Sequence, residues 1–125
     1  MTENEISFAI RGCVYKVHNK LGPGLFESAY EAALIYELRQ AGCKVESQVP
    51  IKMEYESSNL GIAFRIDLLV DDKVIVEVKS VEHLQEIHQK QLLTYLKLTG
   101  LKLGLLVNLN TDDIGKGIIR KVNNL

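Results

Sequence analysis

The chain has 125 residues, 46% of them hydrophobic and 25% charged, with a formal net charge of −1. That length suits one domain with a core of its own, so residues 1–125 are expected to fold as a single unit. The near-neutral balance excludes a global basic field for nucleic acid and leaves only a local patch, the densest basic run being Lys116, Arg120 and Lys121.

Two cysteines, Cys13 and Cys43, make neither a disulfide framework nor a ligand-spaced cluster. They are expected to be reduced thiols in a cytoplasmic protein. The first residues, MTENEISFAI, lack the basic and apolar regions of a signal peptide. No apolar run approaches the ~20 residues of a membrane span, so no membrane partner is expected.

From residue 5 to 20, Ile6, Ile10, Cys13, Val14, Val17 and Leu21 recur at helical spacing, opposite Glu5, Arg11, Lys16 and Lys20. The stretch LGPG (21–24) breaks this helix. A second helix fits 25–40, with Gly42 placed to stop it. A strand over 44–55 contains Pro50, which favours an edge or a bulge. Residues 56–60 read as a turn, and 61–70 and 74–80 as two further strands. A third helix spans 83–98 and ends at Gly100. The run LKLGLLVNL (101–109) has both faces apolar and reads as a central strand, and 117–122 as one more short strand. The order α-α-β-β-β-α-β, with a last strand after it, packs naturally as a mixed sheet flanked by helices, an α/β fold.

In FRIDLLVDDKVIVEVKS (64–80), Asp67, Glu77 and Lys79 are set among the valines and leucines of the most apolar part of the chain. Glu77 and Lys79 are two apart and share a strand face, with Val74, Val76 and Val78 on the other. Whether Asp67 joins Glu77 depends on hairpin register. A two-residue turn sets Asp67 opposite Val76. A three-residue turn at 71–73, or a bulge, sets it opposite Glu77. Opposed carboxylates about 4.5–5.5 Å apart at Cβ repel unless a proton or cation intervenes. We take the three-residue register and a cation.

Helix residues add polar groups. On a wheel, Glu27 falls within about 20° of Leu34 and Leu38, with Tyr30 on the same side, so it is expected to face inward. Its alternative role is the N3 place of a capping box that starts at Gly24. On the third helix, Leu84, Ile87, Gln91, Tyr95 and Leu98 make one stripe, with His88 beside it. Gln91 is then an inward amide, and His88 alone reads as a surface or capping residue.

GLFESAY (24–30) matches the signature G-x-x-E-x-x-Y, with Gly24, Glu27 and Tyr30 in its three places. FRIDLLV, IVEVKS, IHQKQLLTYLK and TGLKLGLLVN look like further blocks of the same GxxExxY proteins. The likeness covers about residues 5–122. That family is assigned to the PD-(D/E)xK superfamily, and the resemblance implies a restriction-endonuclease-like fold. It also implies roles: Asp67 and Glu77 as metal-binding acids, Lys79 as the catalytic lysine, Glu27 as the helical acid and Gln91 as the polar residue of the following helix. The residue before Asp67 is Ile66, where the superfamily nominally has Pro.

The implied chemistry is phosphodiester hydrolysis of DNA or RNA. Asp67 and Glu77 would hold Mg²⁺ or Mn²⁺, aided by the Val78 carbonyl and Glu27. Lys79 would steady charge developing on phosphorus, and Gln91 would place the water. Tyr30, His88 and Tyr95 are candidate substrate contacts. The alternative is a non-catalytic module on the same fold that binds nucleic acid or protein. In that reading the strand at 101–109 and its neighbour would serve as a homodimer surface, and a third reading is a component of a defence or mobile-element system paired with an unidentified protein.

Overall fold

Helix α1 (Glu3–Leu21) starts where the Thr2 hydroxyl and the Glu5 carboxylate cap each other's backbone N–H groups, a complete capping box. A computed structural model describes residues 1–125, apart from the side chains of residues 62 and 63. The apolar stripe of α1 is buried as its spacing predicts at Ile6, Ile10, Cys13, Val14 and Val17, whereas Leu21, 44% exposed, falls off it. Each of these buried aliphatic residues contributes about 1.5–3 kcal/mol. Helix α2 (Glu27–Gln40) packs beside α1 and buries Tyr30, Leu34 and Leu38.

The sheet has five strands in chain order: β1 (Val45–Tyr55), β2 (Ser58–Val70), β3 (Val74–Lys79), β4 (Leu103–Asn108) and β5 (Ile118–Val122). Only β3 and β4 are parallel, joined by the crossover helix α3 (Glu86–Thr99). The other neighbours are antiparallel. Leu68, Val70, Val74, Val76, Val78, Leu103, Leu105 and Val107 pack on the α1–α2 side, and Ile66, Ile75 and Leu106 pack against Leu92 and Leu96 of α3. The molecule is thus a mixed sheet flanked by helices, the restriction-endonuclease-like arrangement. No helix is long and apolar enough to cross a membrane.

Several boundaries differ from the sequence reading. The β1–β2 turn is only Glu56-Ser57, both at positive φ, so β2 starts three residues earlier than expected and the two strands form a long hairpin. Helix α2 begins at Glu27 with Phe26 as N-cap, which removes the capping box from Gly24. On α3 the buried positions are Leu92 and Leu96, not the expected stripe: Ile87 and Leu98 are 53% and 42% exposed. The helix covers the sheet with a narrow face, so its outer apolar residues stay in water. Strand β4 is buried on both faces and along both edges, between β3 and β5. The proposed dimer surface there is therefore corrected: those residues are spent on the core. Pro50 does sit on an edge strand, with register shifts just beyond it.

A short 3₁₀ turn (Ile114–Gly117) leads into β5 and presses on the end of β4. A β-carbon at Gly117 would overlap the Asn108 carbonyl oxygen, a backbone atom that cannot swing aside. Gly12, in the middle of α1, has open space around it. Gly117→Ala is expected to lower the stability in urea by about 1–3 kcal/mol, whereas Gly12→Ala raises it by about 0.5–1 kcal/mol. Equal effects of the two substitutions would refute this packing.

Candidate active site

Strands β2 and β3 are joined by the three-residue turn Asp71-Asp72-Lys73, with Asp71 and Asp72 at φ 51° and 58°. The ladder pairs Val70 with Val74, Leu69 with Ile75 and Leu68 with Val76, and then stops. The next pair in that register is Asp67 and Glu77. Here side chains replace the missing backbone bonds. The Asp67 amide donates to Glu77 Oε2 at 2.7 Å, and the Val78 amide donates to Asp67 Oδ2 at 2.8 Å. Each carboxylate thus reaches across the gap to the partner strand's backbone.

The gap exists because the two strands follow different neighbours. Strand β3 stays paired with β4 as far as Lys79 and Asn108. Strand β2 stays paired with β1, through Val49 opposite Ile66 and Pro50 opposite Arg65. Leu68 and Val70 belong to the core under α1 and α2, yet Ile66 belongs to the core under α3. In a regular strand residues two apart share a face. The pleat therefore breaks at Asp67. Opposite it in β1 stands Gln48, at φ 52°.

Both acids are held unfavourably as anions. Burial, and then the charge of Asp67, push the Glu77 carboxyl up to about 8. Burial also raises Asp67, against the Val78 amide, the Lys79 charge and the Gln48 amide. Lys79 favours the charged form of both acids but, among the described residues, forms no ion pair within 4 Å.

Of the other expected site residues, Tyr95 is half-buried and stacks on Phe64 with centroids 4.2 Å apart, and Glu77 and Asp67 help burial to raise its hydroxyl. Glu27 is exposed, not inward, but its carboxylate lies 3.4 Å from the Ser80 amide at the end of β3, and its charge adds to the rise at Asp67. With Leu25, Phe26, Ser28 and Ser80 it lines an open recess of about 470 Å³. Gln91 is exposed on α3, correcting its inward placement. His88 closes the capping box of α3 by accepting from the Gln85 amide at 3.1 Å.

Tyr30 is fully buried, so its place among the substrate contacts is corrected. Its hydroxyl donates to the Gly22 carbonyl at 2.5 Å and accepts from the Leu25 amide at 3.2 Å. It clasps the loop between α1 and α2, in which Gly22 and Gly24 adopt φ 67° and 103° that other residues resist. The same loop accepts from Ser80 Oγ at the Leu25 carbonyl, 2.6 Å. The spacing of Gly24, Glu27 and Tyr30 thus ties a loop and a helix start to the end of β3.

Three residues of this region were not singled out from sequence. Glu31 is half-buried one turn after Glu27, and that i,i+4 spacing was the available signal. Gln48 donates to Glu31 Oε1 at 2.9 Å and to Asp67 Oδ1 at 3.4 Å. Buried Asn108 pairs by its amide with both backbone groups of Val81 and pins the chain after Lys79. Nothing in the local sequence marks the last two.

The donor set suits a hard divalent cation. Each carboxylate accepts its backbone bond on one oxygen, so Asp67 Oδ1 and Glu77 Oε1 retain lone pairs. Among the described residues no group of three or more His, Cys, Asp or Glu side chains forms a metal cage. Two carboxylates are what Mg²⁺ accepts when water and phosphate oxygens complete its shell. A family model described as PD-(D/E)XK nuclease superfamily matches residues 4–121. No curated protein and no solved structure matches the chain.

A carboxyl whose pKa is raised on folding binds its proton more tightly in the folded state. Its contribution to stability is therefore full below the unfolded value near 4.5 and is lost as pH rises through about 8. The metal-free protein is expected to lose up to a few kcal/mol between pH 5 and pH 8. Glu77→Gln should flatten that slope in urea titrations at several pH values. A wild-type protein equally stable at both pH values would refute the buried, like-charged environment.

Proposed function

The chain belongs to the PD-(D/E)XK nuclease superfamily, and on that premise we propose that it is a divalent-metal-dependent nuclease that hydrolyses phosphodiester bonds. Nucleases of this superfamily are generally divalent-metal dependent and act on nucleic acid. The observation that carries the reading is the pair Asp67 and Glu77 in the gap between β2 and β3, each bonded to the other strand's backbone, with Lys79 two residues further along β3.

In this reading Asp67 and Glu77 hold Mg²⁺ or Mn²⁺, with the Val78 carbonyl as a further donor and Glu27 reaching the ion through water. When bound, the ion neutralises charge on the attacked phosphate and makes a water more acidic. Lys79 presents its ammonium to the phosphate and stabilises the negative charge that grows in the transition state. Tyr95 and His88, on α3, contact the substrate. Nucleic acid is the substrate class.

A second reading, a module that binds nucleic acid without cutting it, is favoured by one observation: among the described residues no third metal-ligating side chain joins the pair. The two readings separate in a Mg²⁺- and Mn²⁺-dependent cleavage assay on single- and double-stranded DNA and RNA. The nuclease reading predicts cleavage that Asp67→Ala abolishes. It also predicts that Lys79→Met folds and binds Mn²⁺ but cleaves roughly two to three powers of ten more slowly, a typical cost for one electrostatic stabiliser. Binding without cleavage of any of these substrates would establish the module. Undiminished cleavage by Lys79→Met would remove Lys79 from the mechanism.

A further inference from the structure

Gln48 carries two features that no role in strand pairing explains. Its backbone sits at φ 52°, left-handed, within an edge strand. Residues other than glycine, asparagine and aspartate seldom adopt that conformation, and a strained backbone persists only where its surroundings enforce it. Its side-chain amide also stands between two acids. The nitrogen donates to Glu31 Oε1 at 2.9 Å and to Asp67 Oδ1 at 3.4 Å. A side-chain amide has two N–H donors, enough to supply one to each carboxylate.

The second contact completes the bonding of Asp67. Its other oxygen, Oδ2, already accepts from the Val78 amide at 2.8 Å. With a donor on each oxygen, the plane of the carboxylate is set from both ends. Remove the amide, and Asp67 keeps one anchor and faces Glu31 with no donor between them. Register supplies the reason for the strain. Gln48 stands opposite Asp67, at the residue where the pleat of β2 breaks. A regular β1 would match a regular β2 and leave no kink for the amide to span.

We infer that Gln48 is a positioning residue of the candidate active site: its strained backbone aims its amide so that it bridges Glu31 to Asp67 and holds the Asp67 carboxylate in place for a divalent cation. The inference deepens the nuclease reading and rests on it for the cation. The orientation of Asp67 itself is testable without metal, because the Val78 amide proton reports on its acceptor.

The test compares Gln48→Gly and Gln48→Met. Glycine relieves the backbone and deletes the amide, whereas methionine keeps length and strain and lacks the donors. Positioning predicts that Gln48→Gly melts at or above the wild-type temperature. It also predicts that in both variants the Val78 amide exchanges with deuterium at least several-fold faster, while the Val76 amide does not. Mn²⁺ affinity and cleavage should each fall by about 10–100-fold, the usual cost of losing a partner that orients a metal ligand. A merely structural Gln48 predicts unchanged Val78 exchange and unchanged Mn²⁺ affinity in a stable Gln48→Gly protein, and that result would overturn the inference. Should the wild-type protein bind no Mn²⁺ and cut nothing, the nuclease reading fails, and the Val78 exchange rates alone decide whether Gln48 holds Asp67.

Discussion

Two carboxylates stand across the gap between β2 and β3, and the ladder between those strands ends where they stand. Strands β2 and β3 pair over three positions and then part. The backbone N–H groups freed at that point are not left without acceptors. Those of Asp67 and Val78 are taken by Glu77 and Asp67. The same exchange fixes both acids across one gap. No buried side-chain polar atom among the described residues lacks a partner.

The rest of the architecture keeps that gap open from both sides. On one side, the unbroken parallel pairing of β3 with β4 holds Glu77 and Lys79, and Asn108 pins the chain just beyond. On the other, β1 follows β2 away from the sheet centre, with Gln48 bent out of regular strand geometry opposite Asp67. The α1–α2 loop closes the end of β3. Tyr30 clasps it from inside the core, and Ser80 meets it through Leu25 and Glu27. A buried tyrosine therefore acts on the site at a distance, through a loop that its hydroxyl helps to hold.

Electrostatics gives the arrangement its chemical bias. Burial raises the proton affinity of Glu31, Asp67 and Glu77, and the charges of Glu27, Glu31 and Asp67 add to the effect. Such a cluster is poorly neutralised by the protein alone: the Lys79 charge favours the anions of Asp67 and Glu77, yet among the described residues Lys79 is in no close ion pair. What the fold withholds from these anions is positive charge, which a divalent cation would supply. Net charge says little about this: at −1 overall, the chain still brings Asp67 and Glu77 of the strand pair near Glu27 and Glu31 of α2.

Much of this was legible from sequence because it follows from local periodicity. The stripe of α1, the apolar run of β4 and the stop at Gly100 depend on neighbours a few positions apart, whereas the three-residue turn that brings Asp67 toward Glu77 was one of two registers the sequence allowed. The type and spacing of Asp67, Glu77 and Lys79 were visible for the same reason: charges stand out in apolar strands. What sequence could not decide was direction. The face of α3 that meets the sheet, Leu92 and Leu96, was chosen by the fit to Gly104 and Leu106, which lie on another element. Tyr30 and Glu27 share a motif, yet one is buried and the other exposed, because the loop before them folds back on β3. Gln48 looks like any polar residue of an edge strand. Its left-handed backbone and its grip on Asp67 exist only because β1, β2 and α2 converge there. Periodicity is a property of the chain, and the sequence by itself determined the elements and the acids. Convergence is a property of packing, and only the tertiary structure decided which side chains meet.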